Sequence, residues 1–81
     1  MQYEYKTNGT CSRKILFTVE DGKVSNVKFE GGCHGNLQGI AALVEGMDAA
    51  EAIKRIKGIK CGMKPTSCPD QLACALEQAT A

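Results

Sequence analysis

The sequence has no apolar run near the roughly 20 residues of a membrane-spanning helix, so no such helix is expected in it. Its opening, Met1-Gln2-Tyr3-Glu4-Tyr5-Lys6, lacks the charged-then-apolar order of a secretory signal, so a cytoplasmic protein is expected. There is no excess of either charge: ten Lys and Arg against nine Asp and Glu leave a formal net charge of +1. The one basic run, Lys54, Arg55, Lys57, Lys60 and Lys64, contains no aromatic residue for base stacking. It reads as a solvated helix face rather than a nucleic-acid surface. Also missing are the closely spaced cysteine pair of a zinc knuckle, the Gly-Lys-Ser/Thr ending of a phosphate loop, and any repeat, linker or low-complexity stretch.

What remains is a chain of 81 residues, room for one domain with a small core. At this size a metal, a disulfide or a partner commonly supplies part of the stability. With 43% apolar and 23% charged residues, the composition is globular rather than disordered. Five cysteines, an odd number without an export signal, point to reduced thiols with a metal or redox role.

Alternation of side chains predicts three strands. Tyr3 and Tyr5 share one side of the first, over 1–6; Ile15, Phe17 and Val19 share a face of the second, over 13–20. A two-residue Asp21-Gly22 turn would mix the apolar and polar faces, so a three-residue loop, Glu20-Asp21-Gly22, is expected instead. That loop puts Val27 opposite Ile15 and Ser25 opposite Phe17. The third strand, about 23–30, delivers the chain to Gly31-Gly32-Cys33-His34-Gly35.

Three helices follow. Asn36 is the expected cap of the first, which buries Leu37, Ile40, Ala41 and Val44 and ends at Gly46. Asp48 and Glu51 have the spacing of a capping box for a second that ends at Gly58. Pro69 suits the first position of the third, leaving Cys68 at the N-cap, where amide hydrogens and the helix dipole favour thiolate. Three strands followed by three helices packed on one face make an α+β domain.

The topology puts Cys11 at a strand start, Cys33 between strand and helix, and Cys61 and Cys68 on either side of the last helix-entry loop. Cys74, two residues from both Leu72 and Leu76, turns away from the apolar stripe towards Gln71, Gln78 and solvent. Cys11, Cys33, Cys61 and Cys68 are therefore the expected converging set, and four soft thiolates suit tetrahedral zinc or an iron-sulfur cluster. His34 is the candidate to replace Cys11 as fourth ligand or to supply a proton. Asp70 is the candidate to stiffen the helix start by accepting amide hydrogens. A closed four-ligand sphere makes the metal structural; a thiol redox pair of Cys61 and Cys68 is the competing chemistry.

Thr66-Ser67-Cys68-Pro69-Asp70 resembles the signature that names the TSCPD domain family. The likeness extends to Cys11-Ser12, to 29–37, to Leu43-Val44-Glu45-Gly46-Met47 and to Gly58-Ile59-Lys60-Cys61. Domains of this family occur alone and at the C-terminus of adenosylcobalamin-dependent ribonucleoside-diphosphate reductases. The resemblance implies a cysteine metal site at Cys11, Cys33, Cys61 and Cys68, and a link to deoxyribonucleotide synthesis with a ribonucleotide reductase or another protein as partner. The reductase chemistry itself has no space here. A more distant likeness is to NifU-type iron-sulfur scaffolds, in which a sheet also leads through a Gly-Cys turn into helices. The characteristic aspartate near the first cysteine of that family is missing.

Overall fold

The computed structural model describes residues 2–7, 12–31, 34–60, 62–63 and 65–80. Strands β1 (Gln2–Lys6), β2 (Ser12–Glu20) and β3 (Lys23–Gly31) form an antiparallel sheet in the order β1-β2-β3. The alternation that predicted β1 and β2 fixes their pairing, with Tyr3 opposite Phe17 and Tyr5 opposite Ile15. The Tyr3 and Phe17 rings stack, their centroids 5.3 Å apart.

The β2–β3 connection differs from the expectation. Glu20 pairs with Lys23, so the turn is the two-residue Asp21-Gly22, with φ of 53° and 76°, as a type I′ turn requires. Face parity is restored further along by a bulge. Thr18 pairs with Ser25 but Leu16 pairs with Lys28, leaving Asn26 and Val27 together opposite Phe17. Ile15 therefore meets Phe29, not Val27. The extra residue turns Val24 and Val27, odd in spacing, to the same core side. Asn26 absorbs the distortion at φ 53°, and its N–H donates to Glu45 Oε1 at 2.9 Å. Asn26→Val is expected to cost about 1–3 kcal/mol, because a β-branched residue resists the left-handed conformation that asparagine tolerates. Urea unfolding of the variant beside Asn26→Gly, expected to be near neutral, checks this.

The helices are α1 (His34–Val44), α2 (Ala49–Ile56) and α3 (Cys68–Thr80). Helix α1 begins at His34, ahead of the expected cap Asn36. Asp48 precedes α2 without a side-chain cap bond, and its carboxylate instead reaches Lys23 Nζ at 3.6 Å. The expected capping box is not formed. The linker bearing Asp48 is drawn to the sheet: Val24 N–H donates to Met47 O, Gly46 N–H to Val24 O and Ala49 N–H to Gly22 O. Gly46 and Gly58 end α1 and α2 at positive φ, as expected.

All three helices lie on the sheet face that carries Ile15, Phe17 and Val24. The core joins these to Val44 of α1, Ala49 and Ala52 of α2, and Leu72, Ala75 and Leu76 of α3. Helix α1 packs on β3; α3 packs on α2 and β2. Covered from two sides, α3 buries a wider arc than its apolar stripe alone, taking in Gln71 and Ala73. Among the described residues no helix is long and apolar enough to cross a membrane.

Candidate functional site

The third helix starts one residue earlier than its proline suggested. Gln71 N–H donates to Ser67 O at 2.8 Å, which makes Ser67 the N-cap. The Ser67 hydroxyl accepts the Asp70 N–H at 3.2 Å, the bond a cap side chain makes to the first turn. Cys68 and Pro69 then occupy the first two helical positions, where proline's missing N–H is still no loss. Cys68 is half-buried and stands in the first turn rather than capping it.

The residues around Cys68 bind this helix start to the end of α2. Ser67 Oγ donates to Ile59 O at 2.6 Å, and Ser67 is buried. Asp70 accepts the Gly58 N–H at 2.7 Å on one oxygen and the Thr66 hydroxyl at 2.5 Å on the other. The Gln71 side-chain amide donates to Thr66 Oγ1 at 3.0 Å. Asp70 was expected to hold amides of its own helix start; it reaches across to the preceding helix end instead. Gln71 is likewise not on a solvent face. Sequence periodicity could not show the bonds to Gly58 and Ile59, because they join separate elements.

The Thr66 hydroxyl, the Gly58 amide and the charge of Lys57 hold the Asp70 carboxyl below its ordinary value of 3.8, against the opposing effect of burial. Since the folded-state value is depressed, the carboxylate's contribution to stability is complete above the unfolded value. It is lost as pH falls through the folded one. Asp70→Asn is expected to lower stability by about 1–2 kcal/mol at neutral pH. In urea unfolding from pH 7 to pH 2, wild type and variant converge in acid; a gap independent of pH would contradict the assignment.

Further along α3, Cys74 is half-buried. Burial, then the charges of Asp70 and Glu77, push its thiol up from 9.0, so it stays protonated at neutral pH. Tyr5 of β1 is pushed up by burial and by the nearby Cys74 and Asp70 of α3. Ala75, Gln78 and Ala79 of α3 line a shallow cleft with Tyr3, Glu4, Tyr5 and Phe17. By the strand pairing, β1 finishes, β2 begins and β3 finishes at one end of the sheet. At that end Ser12, one residue after Cys11, pairs with Gly31, two residues before Cys33.

Cys11, Cys33, Cys61 and the side chain of His34 lie outside the described residues. Among the described residues no three candidate ligands cluster, and these include only Cys68 of the four expected cysteines. Of the basic run, Arg55 and Lys57 are ion-paired. Lys57 Nζ meets Glu77 Oε2 at 2.7 Å and Arg55 meets Glu51 at 3.2 Å, both exposed.

No curated protein sequence and no solved structure matches the chain significantly. The family model described as the TSCPD domain matches residues 1–80, and the five residues spelling its name are those that build the entry to α3. The chain belongs to the TSCPD domain family.

Proposed function

We propose that this chain is a thiolate-ligated metal module, an accessory domain akin to the C-terminal domain of ribonucleoside-diphosphate reductases. Its ligands are Cys11, Cys33, Cys61 and Cys68, and its metal is zinc. The observation that supports the reading is the β2–β3 pairing beside two of these cysteines. Ser12, one residue after Cys11, pairs with Gly31, two residues before Cys33. Ile59, two residues before Cys61, is tied to Ser67 beside Cys68. Four soft sulfur donors fit zinc, and Cys74, half-buried further along α3, is left out of the set.

A metal with four protein ligands has no open position for substrate, so its contribution is structural. It ties the sheet end to the entry of α3, and Thr66, Ser67 and Asp70 hold that entry before any metal arrives. The partner is a protein, a ribonucleotide reductase being the one the family suggests.

Thiol titration tests this. Native protein is expected to expose Cys74 slowly and the other four cysteines only after chelation. Four thiols that react at once, without chelator, would favour the redox pair of Cys61 and Cys68 instead. Absorbance in the visible range would replace zinc by an iron-sulfur cluster at the same four sulfurs.

A further inference from the structure

We infer that the outer edge of β3 and the flank of α1 form a groove that binds an extended segment of another protein as a fourth strand. The edge is already used in this way by the chain itself. The linker after α1 runs antiparallel to the start of β3, bonded through both backbone groups of Val24 and bridging Lys23 to Asp48. This added strand stops at Gly46. Asn26 N–H is taken by the Glu45 carboxylate, and beyond it the edge has no partner among the described residues.

Antiparallel pairing alternates, so residues whose backbone faces the neighbouring strand alternate with residues whose backbone faces away. Val24 faces away from β2; carried through the extra residue at the bulge, the alternation directs the Phe29 N–H and C=O outward as well. They open into a cleft of about 310 Å³ between β3 and α1, lined by Val27, Phe29, Gly31, Leu37, Gln38 and Ala41. An unpaired edge beside a helix is the arrangement in which main-chain bonds supply affinity and a pocket selects alternate side chains. Val27, Phe29, Leu37 and Ala41 give the pocket its apolar surface, and Gln38 and Lys28 add polar groups beside it. Lys28, exposed on its rim, has no ion pair with a described residue, whereas Lys14 on the neighbouring strand is engaged by Glu4 and Glu30. The occupant this selects is an extended segment alternating apolar with acidic side chains.

A capped heptapeptide of alternating valine and glutamate, titrated into the full ¹⁵N-labelled chain, tests the inference. Saturable shifts are expected at residues 27–31 and 37–41, with slowed hydrogen exchange at the Phe29 amide. The decisive arms are two N-methylated versions of the peptide. In an extended strand one parity of residues faces the edge, so methylating that parity should weaken binding at least about tenfold and methylating the other should leave it unchanged. Equal binding of both versions, or no saturable shift in this groove, overturns the inference. So does a dimer whose own association produces the same shifts without peptide, because a second copy would then be the occupant.

Discussion

Cys68→Ser is expected to lower metal affinity by at least about a hundredfold, a modest share of the roughly 10–16 kcal/mol with which four-ligand zinc sites hold their metal. A serine hydroxyl stays protonated at neutral pH and is a hard, weak donor, so it leaves the site one thiolate short. The first turn of α3 should survive, because its cap is Ser67 and its tie to the α2 end is Asp70, neither of which the substitution touches. Cys74→Ser is the matched control. That residue lies in the same helix, half-buried, with a thiol that burial and the nearby Asp70 and Glu77 keep protonated. It should retain full metal content. Competition with a chromophoric chelator, run on both variants with far-UV circular dichroism as the check on folding, measures the difference. Equal loss from both, or from neither, would remove Cys68 from the ligand set.

Leu72→Ala is the second large effect. Leu72 is fully buried one turn after Cys68, where α3 meets the sheet and α2. Truncating a buried leucine costs about 2–5 kcal/mol, part from lost transfer energy and part from the cavity left behind. A domain of this length has only about 4–12 kcal/mol in total. The variant is therefore expected to be partly unfolded without metal and rescued by it, since a ligand that binds only the folded state adds its own binding energy to stability. Thermal unfolding with and without zinc, for wild type and variant, reads both halves of the expectation. A variant as stable as wild type without metal would mean that α3 is not held by this contact.

The three strands and three helices were legible because each carries its own period: alternate Tyr3 and Tyr5, alternate Ile15 and Phe17, and Leu72, Ala75 and Leu76 at helical spacing. The hairpin was misread for a definite reason. Parity counting assumes an unbroken ladder, and the bulge at Asn26 supplies the one-residue slip that lets Asp21-Gly22 form its own preferred turn. Asn26 was the visible clue, an asparagine amid a strand pattern, of the kind that accepts positive φ. At the α3 entry, reading Pro69 as the first helical residue displaced the cap onto Cys68, although Ser67 is the better cap former. The bonds of Asp70 to Gly58 and of Ser67 to Ile59 were not legible at all, because they depend on how α2 lies against α3. The sequence reading did place Cys68 at a helix entry.

The central claim is that one metal is held by the sulfurs of Cys11, Cys33, Cys61 and Cys68. Elemental analysis of folded protein, purified without added metal and without chelator, tests it most directly. The account predicts zinc at close to one equivalent per chain, falling away in Cys68→Ser and unchanged in Cys74→Ser. Folded wild-type protein carrying well under one equivalent of any metal would contradict it.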